Sequence, residues 1–285
     1  MNQGVLYIVA TPIGNLQDIS QRGIEVLSQV DVIAAEDTRH SQKLLQHLAI
    51  NRPLQAYHEH NEEQQAPVLV KRLLGGESVA LISDAGTPLM SDPGYRLVRL
   101  AHEAGIQLSP VPGPCAAIAA LSVAGQATDK FCFLGFPPAR SSARQHFFEK
   151  YHDMSMTLVL YESSHRILAC LEDMLVVFGA ERELSLCREI TKTFETIRKA
   201  SLGDILALVR DHPQQQKGEF VLVLEGQPER DSETVTLAVD VLLRALVEVL
   251  PVKQAAKLAS ELSGVKKNRL YQQALDLSKA DSGIT

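Results

Sequence analysis

The sequence predicts two α/β domains followed by a small helical one, and three observations carry this expectation. Over the first 125 residues, short apolar runs alternate with segments of helical periodicity, the order that builds a mostly parallel sheet covered by helices on both faces. After Gly125–Thr128, which reads as a hinge, a second series of apolar runs begins with more charged ends and more mixed pairing. Beyond Gly226–Glu233, a charged stretch containing Pro228, only helical patterns remain. The expected domains are 1–125, 126–228 and 234–285. A chain of 285 residues, 45% of them hydrophobic, suits two cores better than one.

Taken in order, Leu6–Ala10 reads as a buried strand and Ile24–Val30 as the end of an amphipathic helix. Val32–Ala35 is the next apolar run, ending abruptly in Glu36 and Asp37, before a helix through Leu44, Leu45 and Leu48. Val68–Leu74 forms a helical face stopped by Gly75 and Gly76. Val79–Ile82 is a strand, Tyr95–Ala104 a helix ended by Gly105, and Leu108–Val111 a run leading into Pro112-Gly113-Pro114 and a small-residue helix over Ala116–Val123. In the second series, strands are expected at Phe131–Phe136, Thr157–Tyr161, Leu184–Cys187 and Phe220–Leu224. Helices near Arg144–Lys150, Ile167–Phe178 and Leu202–Val209 separate them. Three short helices, at about 237–249, 252–262 and 267–277, close the chain. Gly264 before Lys266, Lys267 and Arg269 gives a helix-turn-helix resemblance, which a small helical packing module would share.

Composition narrows the function. The formal charge of −6 is not that of a protein that coats nucleic acid, so any RNA contact must be local and shaped. Cys115, Cys132, Cys170 and Cys187 are widely spaced with no CxxC pair, which argues for buried thiols over structural zinc. No basic region with a long apolar run opens the sequence and no segment reaches about 20 apolar residues, so no signal peptide, no membrane span and a cytoplasmic location are expected. No GxGxxG follows the first strand, and GxxxxGK[ST], HExxH and GxSxG are missing, which removes support for nicotinamide, P-loop, zinc-protease and serine-hydrolase chemistry.

The chemistry is expected where strands end, since open parallel sheets bind ligands beyond their carboxyl edges. Four polar, turn-forming loops would converge there: Thr11 to Asn15, Glu36 to Arg39, Ser83 to Pro88, and Pro112 to Pro114. Asp84 can accept bonds from an amine or a ribose, while Gly86 and Gly94 permit close backbone approach; the same run can be two Asx turns joining a strand to a helix. Glu36 and Asp37 can orient ribose hydroxyls, or Asp37 can cap a helix with Glu36 paired to Arg39. His58 and His60 lie two positions apart beside Asn61 with no third ligand, which favours a polar contact loop over a metal site. In the second domain, Tyr161 to Arg166 and Arg188 to Lys192 close apolar strands, and Lys217 introduces another. These charges form either solvated strand ends or, gathered across a cleft, a grip on phosphate.

At these loops the sequence resembles the ribosomal RNA small subunit methyltransferase I family, a branch of the tetrapyrrole methylase (class III methyltransferase) fold. The resemblance rests on Leu6 to Leu16, Ala34 to Arg39, Leu81 to Pro88, Pro112 to Ile118, Tyr161 to Arg166 and Arg188 to Lys192, and covers about residues 5 to 225. It implies S-adenosyl-L-methionine (AdoMet) in a cleft between two α/β domains, a homodimer, and 16S ribosomal RNA of the small subunit as partner. It further implies methylation of a cytidine 2'-oxygen, cytidine 1402, in the decoding region. Tetrapyrrole enzymes methylate corrin-type rings; Ser83 to Pro88 stands where many of them carry a Gly-Asp-Pro-like loop, which favours the RNA branch.

On that resemblance, cofactor contacts are expected at Ser83, Asp84, Ala85 and Thr87, then at Pro12, Gly113, Ala116, Tyr161 and Glu162. Glu189, Lys192, Glu36 and Asp37 are the catalytic candidates, and Arg39, Asn61, Arg188 and Lys217 the substrate-orienting ones, with no metal required. Two alternatives stand beside this reading: a tetrapyrrole C-methyltransferase acting on a small ring, and a non-catalytic RNA-binding assembly factor.

Overall fold

The computed structural model describes residues 4–228 and 232–281; positions 1–3, 229–231 (inside the expected Gly226–Glu233 linker) and 282–285 (inside the expected 234–285 domain) lie outside the described residues. The chain divides into two compact units, Met1–Gln227 and Pro228–Thr285.

The first unit holds two five-stranded sheets. In the first sheet, β1 (Val5–Val9), β2 (Val32–Ala35), β3 (Leu54–Ala56), β4 (Val79–Ile82) and β5 (Gln107–Val111) are all parallel, in the order β3-β2-β4-β1-β5. Every residue of β2 and β4 is buried, as a strand covered on both faces requires. One face packs Leu69 and Leu73 of α3 (Glu62–Leu74) and Leu97 and Ala101 of α4 (Tyr95–Glu103). The other packs Leu27 of α1 (Gln21–Gln29) and Leu45 of α2 (Thr38–His47).

The second sheet runs β6-β7-β10-β8-β9: β6 (Phe131–Gly135), β7 (Thr157–Ser163), β8 (Glu183–Arg188), β9 (Thr196–Ser201) and β10 (Glu219–Leu224). Only β6–β7 is parallel. The helices α6 (Ser141–Glu149), α7 (Ile167–Phe178) and α8 (Leu202–Asp211) bury Phe148, Leu171, Met174 and Ile205 against one face. The other face receives α5 (Ala116–Val123), whose Ala117, Ala120 and Leu121 pack on Val159, Cys187, Val221 and Val223. A helix of small apolar residues suits that buried place. Because α5 starts directly after β5, it joins the carboxyl edge of the first sheet to the second, and this junction creates the site.

Two strands are absent from the sequence expectations. β3 has three residues, none fully buried, and β9 (Thr-Ile-Arg-Lys-Ala-Ser) is an edge strand carrying Arg198 and Lys199, so neither presents an apolar run. Helices α2 and α3 also begin earlier than expected, at Thr38 and Glu62, because their first turns are polar.

The second unit comprises α9 (Ser232–Val249), α10 (Val252–Ser263) and α11 (Lys267–Asp281) around Val239, Leu243, Ala256, Ala259, Leu270 and Ala274. Gly264 ends α10 in the left-handed conformation that the turn needs. No helix among the described residues is long and apolar enough to cross a membrane.

Candidate active site

The loops leaving β1, β2, β4 and β5 are tied to one another. Thr11 and Gly86 exchange backbone hydrogen bonds (Thr11 N–H to Gly86 carbonyl 2.9 Å, the reverse 3.1 Å), and the Thr11 hydroxyl donates to the Ser83 carbonyl at 3.2 Å. Gly86 holds φ +85°, and a Cβ there would meet Ile13 Cγ2 at 3.2 Å; only glycine takes this conformation freely. The Thr87 hydroxyl donates to the Pro114 carbonyl at 2.9 Å, and Asp84 Oδ1 accepts the Asp37 amide at 3.0 Å. Much of the polarity in these loops therefore makes a scaffold.

That scaffold forms one wall of a cavity of about 440 Å³, within the range of small-ligand sites. Ile13, Ala85, Gly86, Thr87, Met90 and Asp92 line it from the first sheet, and Phe136, Tyr161, Glu162, Lys192, Glu219 and Phe220 from the second. The Tyr161 hydroxyl accepts the Ala117 amide at 3.1 Å, fixing the start of α5 to β7. Its ring stands edge-on to Phe133 and Phe136, with centroids 4.9 and 5.6 Å away. Burial pushes the Tyr161 phenol well above its ordinary range, so it stays neutral. The Glu162 side chain is wholly enclosed, with Arg166 Nε 3.3 Å from Oε1.

Charge on the second wall is concentrated at Lys192. Its Nζ lies 2.8 Å from Glu189 Oε1 and 2.7 Å from Glu219 Oε2, and Glu189 Oε1 also accepts the Glu219 amide at 3.0 Å. Gly218, at φ +104°, lets the Glu189 carboxylate lie flat against the chain, since a Cβ would sit 2.6 Å from its Cδ. Burial opposes the charge on both partners, but their hydrogen bonds outweigh it: Glu189 is held below the carboxylate range and Lys192 above its usual value. Lys192 is therefore an ammonium at neutral pH.

On the first wall, burial raises the Asp92 carboxyl and the nearby Asp84 charge adds to it; Glu36 is raised by burial, then by Asp92 and Asp84. Among the described residues, four of the five non-glycine residues at positive φ lie in the facing loops, Leu89 and Ser91 beside Asp92, Glu189 and Thr191 beside Lys192. Such backbone strain, worth about 1–3 kcal/mol per residue, gathers at functional sites.

The residues expected from sequence separate into three groups. Ala85, Thr87, Ala116, Tyr161, Glu162 and Lys192 line the cavity, with Glu189 directly behind Lys192. Pro12, Ser83, Asp84 and Gly113 belong to the loops that shape the first wall without lining it. The remainder stand away from the lining. Asp37 caps α2 by accepting the Arg39 amide at 2.8 Å; Arg39 pairs with Asp37 at 3.2 Å, not with Glu36, and its side chain is 90% exposed. Asn61 orders its own loop, accepting the His58 amide and donating to the Ala56 carbonyl. Arg188 is buried, with Nε on the Lys217 carbonyl at 2.6 Å and Nη1 on the Phe194 carbonyl at 3.1 Å, while the Lys217 side chain is exposed. Asp92, Met90, Phe136 and Glu219 were not among the expected residues. Asp92 carried a signal, since Ser91-Asp92-Pro93-Gly94 repeats the polar turn chemistry of Ser83 to Pro88.

A parallel sheet whose carboxyl edge meets a mixed sheet across a cavity is the arrangement of the tetrapyrrole methylase fold. The family described as Tetrapyrrole (Corrin/Porphyrin) Methylases matches residues 5–206, and the RsmI C-terminal HTH domain matches residues 233–278. The chain is 52% identical to Ribosomal RNA small subunit methyltransferase I of Escherichia coli O157:H7, over 96% of each chain. It is 52% identical to the protein of that name from Haemophilus influenzae, over 95% of this chain and 96% of the relative. Among solved structures, a uroporphyrin-III-C-methyltransferase from Thermus thermophilus shares the fold, with TM-score 0.54 and 22% identity over 78% of this chain and 94% of that one. The chain belongs to the ribosomal RNA small subunit methyltransferase I family and is an AdoMet-dependent methyltransferase.

The cavity fits that cofactor on its own chemistry. Short residues, Ala85, Gly86 and Ala116, leave backbone open to an adenosine edge, Met90, Phe136 and Tyr161 offer apolar surface, and Asp92 offers negative charge to a cation.

Proposed function

We propose that this chain methylates the 2'-oxygen of a cytidine ribose, cytidine 1402, in the decoding region of 16S ribosomal RNA. The observation that carries the reading is the pairing of an AdoMet-sized cavity with a lysine held as an ammonium on the wall opposite the cofactor-side loops. The names of the relatives support the ribosomal substrate. We place the reaction in the cytoplasm, on an assembled small subunit, with the enzyme as a homodimer. Ribosomal surfaces would then compensate for a formal charge of −6.

Bound AdoMet supplies an electrophilic sulfonium methyl group. The chain's tasks are to align that methyl with the ribose oxygen and to ease the charge that develops there. Ala85, Thr87, Ala116 and Tyr161, with Ser83, Asp84, Pro12 and Gly113 behind them and Glu162 in the opposite wall, hold the cofactor in register. Lys192, already protonated, stabilises negative charge growing on the oxygen and does not itself remove the proton; Glu189 orients it. Glu36 and Asp37 act through the loop that Asp84 anchors. Arg39, Asn61 and Lys217 are offered to RNA at the periphery, and Arg188 contributes by holding the loop that bears Glu189 and Lys192.

The test is transfer of labelled methyl from AdoMet to small subunits lacking the modification, followed by nucleoside mapping. The expected product is 2'-O-methylcytidine in the decoding region. Absence of transfer by a folded, AdoMet-binding protein would overturn the reading and redirect the search to small ring substrates.

A further inference from the structure

We propose that Asp92 is the residue by which this cavity distinguishes the charged methyl donor from its neutral product, holding the sulfonium by charge and losing its grip once that charge is gone. The proposal rests on the AdoMet reading above and names a residue role within it.

Charge on the cavity wall is unevenly compensated. Four lining side chains are carboxylates or ammonium groups: Asp92, Glu162, Lys192 and Glu219. Glu162 is enclosed with Arg166, and Glu219 is taken by Lys192 at 2.7 Å, which also engages Glu189. Asp92 alone among these has no lysine, arginine or histidine against it in the described residues. Its charged neighbours, Asp84 and Glu36, carry the same sign and are themselves without a basic partner among the described residues. Only the Ser83 hydroxyl eases it. An uncompensated carboxylate is costly when half-buried, and a cation entering the cavity removes that cost.

The backbone presents Asp92 deliberately. Leu89 and Ser91 both stand at φ +72°, a left-handed conformation that side chains with a Cβ disfavour and that persists only where the surrounding fold imposes it. A strained loop delivering an unpaired carboxylate to a cavity matches a ligand whose positive charge is part of what must be recognised.

The charge on that ligand changes during the reaction. Transfer breaks the carbon–sulfur bond to the methyl group, leaves the electron pair on sulfur, forms the carbon–oxygen bond, and releases the hydroxyl proton to water. A sulfonium cation thereby becomes a neutral thioether, while the adenosine and amino-acid parts are unchanged. Attraction to Asp92 falls at that moment, which favours product release.

The experiment measures binding of AdoMet, S-adenosylhomocysteine and sinefungin (which carries an ammonium in place of the sulfonium) to the full-length wild-type protein and to Asp92→Asn by calorimetry. Asp92→Asn is expected to weaken AdoMet and sinefungin about tenfold or more, and S-adenosylhomocysteine by no more than about threefold. Equal weakening of all three, or of none, would overturn the proposal and leave Asp92 as part of the wall. Wild-type protein that binds none of the three removes the AdoMet reading itself. Should Asp92→Asn lose its thermal transition, Asp92→Ser carries the same expectation with the same three ligands.

Discussion

Lys192 and Asp92 face one cavity with opposite charge and opposite degrees of compensation. Lys192 sits between two carboxylates that keep it protonated, whereas the charged neighbours of Asp92 among the described residues carry its own sign. A donor poised for developing oxyanion charge contributes to the transition state more than to ground-state binding. Replacing Lys192→Met should therefore lower kcat about 10²–10³-fold while leaving AdoMet affinity within about threefold. Single-turnover transfer together with calorimetry reads both, and an unchanged kcat would remove Lys192 from the mechanism. Glu189→Gln should cost less, because Glu219 still holds the ammonium.

At the scale of elements, the second sheet depends on a buried ion pair beneath it. Arg144 of α6 donates from Nε to Asp173 of α7 at 2.7 Å, and Asp173 also accepts from Ser141 at 2.8 Å and Gln145 at 2.6 Å. Arg144 and Asp173 are both buried, so removing one partner strands a charge. Asp173→Ala should destabilise the protein by about 3–5 kcal/mol in denaturant unfolding. A change below about 1 kcal/mol would mean that the pair is dispensable. Burial opposes the Asp173 charge, but hydrogen bonds from Gln145, Ser141 and Arg144 prevail and hold its carboxyl below the ordinary value. This stabilisation is complete above the normal carboxylate pKa and is lost as pH falls through the depressed folded value. Wild-type protein should accordingly lose stability towards acid faster than the Asp173→Ala variant.

For the whole molecule, the cavity lies entirely within the unit Met1–Gln227, and the second unit carries the helix-turn-helix match. Lys266, Lys267 and Arg269 are exposed around the start of α11. If they meet RNA phosphates, changing Lys266 and Lys267 together to alanine should weaken binding to the small subunit. Each lysine lost should also flatten the salt dependence by about one unit of log–log slope. AdoMet affinity should be untouched. A salt slope identical to wild type would assign these lysines to solvent.

Much of this architecture is legible in the chain because burial writes itself as periodicity. Val79–Ile82 is wholly apolar since both of its faces are covered, and Ala116–Val123 is small and apolar since it lies against a sheet. The strand-end loops advertise themselves through Gly, Pro, Asp and Thr, so the region of the site was visible as well. What the sequence alone determined was thus the order of elements, the family and the convergence of loops: all depend on residues near one another in the chain. Tertiary structure decided the rest. It turned Arg188 inward onto the Lys217 and Phe194 carbonyls. It also brought Lys192 between Glu189 and Glu219, 27 residues apart from the latter, and left Asp92 without a basic partner among the described residues. Compensation of a charge depends on which groups folding carries within about 4 Å of it, and a linear sequence holds that distance only implicitly.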